Sequence, residues 1–411
     1  MSHADSNKHK DAFVFIPGLD RNQSSDGIAL RIASGLDRNA KTPQSSFRLK
    51  IGSDEDYDTT GEGSLTTRVR TVFYERGESS RDVADIYEFR YYDALTQKYA
   101  DGSDLRRAFR LLIVLVVITP SLLTALFRRS GKSLLQKIQV IIGLGILGLF
   151  VLYFFILLFA IYGLLVNIPE IKSLFNANST VASPGASWGL VAQAIVVIAA
   201  VLEAFKPSFK QSFSLAAQRY LSMVEYIRAG SRASVLSGQL EHLLDHIQAK
   251  DYARVIVIGY SFGSIIALDN FFPRQREPAT RIRQVDTFIT IGSPFEILRV
   301  FWPKYFTDRH IDKDITHRWI NVFSPDDILG SDITERFPIQ STEGEAQGFP
   351  EKDNRILFKV GPLRRRYSLL DTIVLAGLDE HTFYWGDEFE FERSVFDDVV
   401  NKVYQDHDIL N

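Results

Sequence analysis

The chain has 411 residues, 24% of them charged, and a formal net charge of −3, so it can hold one large domain or two ordinary ones. The balance of 47 Lys and Arg residues against 50 Asp and Glu residues argues against a nucleic-acid binder, which carries a basic surplus. Because the chain has no cysteine, disulfides, thiolate metal sites and a cysteine nucleophile are excluded.

Residues 1–104 are predicted to form the N-terminal part of an α/β domain. The run DAFVFIPGL, from Asp11 to Leu19, is typical of a buried strand that ends in a Pro-Gly turn. A polar, acidic connection at 52–64 indicates an excursion or a hairpin. The apolar pattern predicts one helix followed by three strands, at 26–38, 47–51, 68–74 and 85–93.

Residues 105–205 are crowded with apolar side chains and are predicted to be an inserted α-helical transmembrane region. A span needs about 20 apolar residues. The charge-free stretch 138–166 exceeds that length and 187–205 approaches it, so these two are the predicted spans. The stretch 111–127 is shorter, contains Pro120 and is basic at both ends, which favours a re-entrant or interfacial hairpin. A buried core helix is the alternative for each stretch.

Charge placement predicts the orientation of these stretches, because Lys and Arg favour the cytoplasmic side of a membrane. Basic residues flank 111–127 and follow 187–205, whereas the loop after 138–166 has one Lys and one Glu. Loop 167–186 is therefore expected outside, and both chain ends are expected in the cytoplasm. The chain is thus predicted to be an integral membrane protein.

In residues 206–411, strands and helices alternate, which argues for a mostly parallel sheet flanked by helices on both faces. The predicted strands are 254–259, 285–292, 318–323, 356–360 and 371–377. Helices are predicted at 208–229, 234–249 and 392–404, with a further helix that starts at Ser264.

The sharpest chemical motif is a Gly-x-Ser-x-Gly pentapeptide centred on Ser261. A β-branched strand runs directly into it and an apolar helix leaves it, which is the context of a nucleophile elbow. The turn is sharp, so Gly259 and Gly263 are needed to avoid clashes between strand and helix. Ser261 is therefore predicted to be a nucleophile at the tip of the turn. The alternative is an ordinary helix N-cap serine.

A serine nucleophile needs a general base, and His381 is the favoured candidate. It follows the predicted strand 371–377 in the last loop before the C-terminal helix. His310 and His317 precede the acid candidates, and His407 lies in the tail. The alternative for His381 is a surface histidine in a loop.

The acid is expected in the loop after strand 318–323, which offers Asp326, Asp327 and Asp332. Asp327 is favoured because the apolar pair that follows it can anchor the loop against the core. Its role would be to fix the imidazole tautomer and stabilise the imidazolium. The alternative is that Asp326 and Asp327 are both solvated turn residues.

An oxyanion that develops on the substrate needs backbone donors. The N–H of Phe262, directly after the nucleophile, is one candidate. The N–H of Leu19, in the turn after the first strand, is the other, and Gly18 would let the backbone approach. The alternative is an ordinary strand-to-helix turn.

No metal or organic cofactor is predicted. His242 and His246 stand four positions apart on a helical pattern and could share a metal. The leucines between them form the apolar face, so both histidines are expected to face water. The basic run 364–366 could meet lipid phosphates, but a solvated charge run is the favoured interpretation.

Together these motifs resemble the α/β-hydrolase fold family, and more loosely its lipase and esterase branch. The likeness covers about 12–30 and 250–390, and it rests on FVFIPGL, GYSFG, FITIGSPFEI, NVFSPDDIL and EHTFYW. Two features depart from the family. The usual antiparallel strands before the oxyanion strand are absent, because that strand begins near residue 12. A membrane insert also stands where the family has a short crossover.

The motifs and the resemblance together predict a membrane-anchored serine hydrolase that cleaves a carboxylic ester through an acyl-serine intermediate. A lipid or lipid-like ester is the expected substrate, because the anchor holds the site near such molecules. The bilayer is the expected partner, nucleic acid is not, and the catalytic domain is expected on the cytoplasmic side. The alternative is a non-catalytic membrane scaffold that retains the hydrolase fold for binding.

Overall fold

The computed structural model divides the chain into two compact units, one formed by Met1–Leu95 with Tyr226–Asn411 and the other by Thr96–Glu225. The domain boundaries predicted near 104 and 206 lie outside the residues that the structure describes. Those residues form the following ranges, some with short internal gaps: 10–19, 25–39, 45–58, 65–95, 219–310, 318–333, 339–340, 346–347, 355–357, 381–385 and 395–404.

A nine-stranded sheet is the framework of the first unit. Its strands are β1 Asp11–Ile16, β2 Ser45–Leu49, β3 Ser53–Asp58, β4 Leu65–Arg76, β5 Ser79–Glu88, β6 Arg254–Tyr260, β7 Thr287–Ile291, β8 Arg318–Phe323 and β11 Arg355–Leu357. A separate antiparallel pair consists of β9 Ile339–Gln340 and β10 Ala346–Gln347.

The parallel half of the sheet runs in the order β11-β8-β7-β6-β1-β5. Every residue of β1 is buried, as expected for a strand covered on both faces. β4 pairs antiparallel with β5, and both β2 and β3 pair antiparallel with β4. The antiparallel strands thus follow β1 in the chain, whereas the family that the sequence resembles has them before it.

The helices with defined bounds in the described part of the chain are α1 Ser25–Asn39, α2 Ser231–Gln248, α3 Phe262–Phe271, α4 Phe295–Phe301 and α5 Val395–Tyr404. α1 and α5 pack on one face of the sheet, where they share a buried apolar cluster with Phe13 and Phe15 of β1. α3 packs on the other face, where Phe271 stacks on Phe288 with ring centroids 4.1 Å apart. The α/β class predicted from the sequence is confirmed as a mostly parallel sheet with flanking helices.

The strand β3 was not predicted, because its sequence SDEDYD is acidic and polar. It lies at the edge of the sheet, where charged side chains reach water and discourage pairing with other chains. Arg68 and Arg90 pair with its Asp54, and Lys250 of the neighbouring loop pairs with Glu55. β3 has too few apolar side chains to be fixed by burial, and ion pairs with neighbouring elements therefore stabilise its position at the edge of the sheet.

Within the described part of the chain, no helix combines the length and the apolar character that crossing a bilayer requires. The predicted hairpin at 111–127 and the predicted spans at 138–166 and 187–205 lie outside the described residues.

Candidate active site

Ser261 lies in the turn between β6 and α3, with a backbone φ of 51° and ψ of −125°. A positive φ is strained for a residue with a side chain, and such strain persists only where the surroundings enforce it. Here the Ser261 N–H donates to the Ile291 carbonyl at 2.9 Å, and the Ser264 hydroxyl donates to the Ser261 carbonyl at 2.5 Å. The turn therefore projects the Ser261 side chain beyond the end of the sheet.

The two glycines that flank this turn have no room for a side chain. A Cβ on Gly263 would lie 2.2 Å from the Ile16 carbonyl oxygen at the end of β1. A Cβ on Gly259 would lie 2.6 Å from the Cα of Ser264. The sequence motif thus reflects a close packing of the first turn of α3 against both β1 and β6.

We expect Gly263→Ala to destabilise the protein strongly, because the new methyl group would force the start of α3 away from β1. Overpacking of this kind costs about 1–3 kcal/mol or more. The matched control is Gly238→Ala within α2, where a Cβ meets no atom within 4 Å. Alanine there should leave stability unchanged or raise it by about 0.5–1 kcal/mol. Thermal unfolding of both variants checks the prediction, and equal midpoints would contradict it.

His381 lies next to Ser261, and its Nε2 is 2.7 Å from the Ser261 Oγ. His381 is 8% exposed, and its ring stacks on the ring of Tyr260, with centroids 5.3 Å apart and planes inclined by 22°. The Tyr260 hydroxyl also donates to the His381 carbonyl at 2.5 Å. The residue before the serine therefore holds both the ring and the backbone of the histidine.

Asp327 lies on the other side of this imidazole, with its Oδ2 2.8 Å from the His381 Nδ1. The carboxylate is fully buried, and the Leu329 N–H donates to its Oδ1 at 2.8 Å. Because a carboxylate only accepts, Nδ1 carries the proton and Nε2 is left to accept from the Ser261 hydroxyl. Of the other two acid candidates, Asp332 is half-buried and Asp326 lies outside the described residues.

The turn after β7 closes around the acid and the base at Gly292, whose φ is 55°. A Cβ at this position would lie 2.7 Å from the Tyr384 ring and 3.2 Å from the His381 Cε1. Glycine is therefore required both by the backbone conformation and by the space. The sequence offered a signal for this residue, since FITIGSP places a Gly-Ser-Pro turn at the end of a strand.

The turn after β1 packs against the nucleophile. A Cβ on Gly18 would lie 3.1 Å from the Ser261 Cβ, and Leu19 follows it as a half-buried residue. The Tyr91 hydroxyl anchors this turn by donating to the Pro17 carbonyl at 2.8 Å. Phe262 is the first residue of α3, and the N–H groups of a first helical turn have no acceptor within their helix. The two predicted oxyanion donors thus belong to the segments that border Ser261.

The other histidines and the basic run considered in the sequence lie away from Ser261, Asp327 and His381, or outside the described residues. His246 pairs with Glu55 at 3.1 Å and His242 is exposed. Among the described residues, no three His, Asp or Glu side chains converge on a point where a metal ion could bind. The His310 N–H donates to the Pro273 carbonyl, beyond the C-terminal end of α3. His317, His407 and the basic run 364–366 lie outside the described residues.

No family model, curated protein or solved structure matches this chain. A hydroxyl, an imidazole and a buried carboxylate form one hydrogen-bonded relay at the C-terminal ends of parallel strands. Such a relay can take the proton of the serine hydroxyl as its oxygen attacks, and it can stabilise the imidazolium that results.

Proposed function

We propose that this protein is a serine hydrolase of the α/β-hydrolase fold, with a carboxylic ester as its substrate. The observation that carries the proposal is the relay in which Nε2 of His381 is 2.7 Å from Ser261 and Nδ1 is 2.8 Å from Asp327. The sheet order supports the fold assignment, because Ser261 follows a central parallel strand. The chain order of serine, acid and histidine also agrees with that family.

In the first half of the proposed reaction, the Ser261 Oγ attacks the ester carbonyl carbon while Nε2 of His381 takes its proton. The N–H groups of Phe262 and Leu19 donate to the oxyanion of the tetrahedral intermediate. The intermediate collapses to an acyl-serine, and the leaving alkoxide takes the proton from the imidazolium. Asp327 stabilises the imidazolium throughout without itself becoming protonated.

In the second half, a water molecule repeats the attack on the acyl-serine. Nε2 of His381 accepts the proton of the water, and the second intermediate releases the carboxylic acid while the proton returns to the Ser261 Oγ. Both half-reactions thus use the same relay and the same two donors. Neither needs a group beyond the residues of this chain and water.

The proposed substrate is a lipid or a lipid-like ester. The support is the apolar content of 138–166 and 187–205, because a bilayer anchor would hold the site among such molecules. The hydrolase domain is proposed to lie in the cytoplasm, because Lys and Arg residues flank 111–127 and follow 187–205. β1 and β6 are neighbours in one sheet although the apolar region separates them in the chain, so both lie on the same side of the bilayer. An even number of crossings between them is therefore required.

Reaction with a fluorophosphonate tests whether Ser261 is activated, since such probes phosphonylate serines that have a working base. The full chain in its membrane should be labelled, and peptide mapping should place the label on Ser261. Prior heat denaturation should abolish labelling, because the base and the serine are far apart in the chain. An intact, folded protein that takes no label would favour the non-catalytic scaffold over the hydrolase.

Cysteine scanning tests the topology, and it suits this chain because no native cysteine is present. Single substitutions Ser130→Cys, Ser179→Cys and Ser341→Cys would be treated with an impermeant maleimide on intact cells. Only Ser179→Cys should be labelled, because loop 167–186 is expected outside and the other positions inside. Labelling of Ser130→Cys without Ser341→Cys would instead make 111–127 a true span.

A further inference from the structure

Tyr384 lies three residues after His381 and contacts the acid rather than the serine. Its hydroxyl donates to the Asp327 Oδ2 at 2.8 Å, the same oxygen that faces the His381 Nδ1. It also accepts from the Ser324 N–H at 2.8 Å, at the point where β8 ends and the acid loop begins. One phenol thus joins the histidine loop, the acid loop and the acid itself.

The surroundings of Tyr384 keep this phenol a hydrogen-bond donor. Its side chain is fully buried, and burial together with the Asp327 carboxylate raises the pKa of Tyr384 well above its usual value. A protonated phenol whose lone pair is occupied by the Ser324 N–H has its proton directed at Asp327. The donor is therefore fixed in both protonation state and direction.

The rotation of the Asp327 carboxylate has to be restricted, because the group has two equivalent oxygens and one of them must face the His381 Nδ1 during the reaction. The Leu329 N–H holds Oδ1, and Tyr384 holds Oδ2, the oxygen that also faces the His381 Nδ1. A Cβ on Gly330 would lie 2.5 Å from this Oδ2, so the main chain also closes over the carboxylate. Without the phenol, one restraint on the rotation of the carboxylate is lost.

We propose that Tyr384 is a positioning residue of the hydrolase, which acts through Asp327 by aiming its carboxylate at His381. This inference rests on the proposed serine hydrolase activity. Tyr384 contacts the Asp327 carboxylate and the His381 ring, so its effect on Ser261 passes through the acid and the base. It was missed in the sequence because an aromatic residue near a catalytic histidine is most simply explained as core.

The hydrogen bond from the phenol partly neutralises the negative charge of Asp327, which weakens the electrostatic interaction of the carboxylate with the imidazolium. Removing the hydroxyl should therefore strengthen this interaction and move the acidic limb of the kcat/KM profile to higher pH. The titratable groups that face this pair from neighbouring elements include Tyr384 and Tyr260. Tyr260 keeps its place in the variant, so the shift reports on Tyr384.

The test is Tyr384→Phe in the full-length protein, assayed with a soluble short-chain ester. The matched control is Tyr404→Phe, which removes a buried hydroxyl that donates to Asp11 at 2.7 Å, at the end of β1 far from Ser261. Tyr384→Phe should lower kcat by about tenfold with KM within about twofold. It should also raise the acidic limb by about half a pH unit. Tyr404→Phe should lower the unfolding temperature to a similar degree and leave both kinetic values unchanged.

A second measurement is the double variant Tyr384→Phe with Asp327→Asn. If Tyr384 acts through the acid, the loss caused by Tyr384→Phe should largely vanish once Asp327 is an amide. The proposal would be overturned if the acidic limb of the kcat/KM profile did not shift, or if the loss in kcat were undiminished in the double variant. It would also be overturned if the Tyr384→Phe chain did not fold while the Tyr404→Phe chain did. A wild-type protein without fluorophosphonate labelling would overturn the hydrolase itself, so the two failures are distinct.

Discussion

Ser261→Ala should lower kcat for ester hydrolysis by roughly 10⁴ or more, because removing the nucleophile of a triad has an effect of that size. The backbone of the turn is held by hydrogen bonds from the Ser261 N–H and from Ser264, and neither requires the Ser261 hydroxyl. The variant should therefore stay folded. Hydrolysis of a soluble ester, with circular dichroism as the check on folding, measures both quantities.

The matched control for this variant is Ser264→Ala, three residues along the same turn. Ser264 is fully buried and its hydroxyl donates to the Ser261 carbonyl, so the variant loses a structural hydrogen bond of about 1 kcal/mol. Its turnover should stay within about tenfold of wild type. If Ser261→Ala hydrolysed the ester at a rate close to that of Ser264→Ala, the nucleophile would have been assigned to the wrong residue.

Asp327→Asn should lower kcat by about 10⁴ while preserving the shape of the site. An amide can donate its N–H to the imidazole, so the His381 Nδ1 would give up its proton and Nε2 would carry one instead. Nε2 could then no longer accept the proton of Ser261. Steady-state hydrolysis measures the loss, and reduced fluorophosphonate labelling should accompany it.

Asp326→Asn is the control for charge in the same loop, and it should change kcat by less than about tenfold, because the hydrogen bond to His381 comes from Asp327. Asp332→Asn is the second control, since Asp332 is half-buried and was the third acid candidate in the sequence. An equal loss in Asp326→Asn, or a larger one, would reassign the acid. The ranking of the three variants, rather than any single value, decides the question.

The sequence by itself was informative where the constraint is local. The elbow could be predicted because Gly259 packs against the first turn of the helix that follows the serine, which is a local constraint. The close contact of Gly263 with the end of β1, by contrast, is tertiary. The parallel strands could be predicted because strands buried on both faces consist of continuous apolar runs, as in β1 and β6. Helix α1 was predicted over 26–38 and spans Ser25–Asn39.

The sequence was less informative about the arrangement of those strands. The acidic strand β3 was predicted only as part of a connection, because ion pairs from distant residues hold it at the edge. An excursion or a hairpin was indicated around 52–64, and β2 and β4 do pair antiparallel, but their place next to β5 in the sheet was not predicted. Strand order depends on which strands pair along their edges and pack against the same helices, and the sequence of one strand does not specify its neighbours.

The active site likewise combines residues that the sequence could suggest with contacts that only the tertiary structure defines. Ser261, His381 and Asp327 were all candidates in the sequence, but so were other histidines and aspartates, and only the tertiary structure shows which ones meet. The histidine lies 120 residues from the serine and 54 from the aspartate along the chain. Gly292 and Tyr384 were not selected at all. Their roles follow from contacts between the ends of different strands, and such contacts exist only once the sheet has formed.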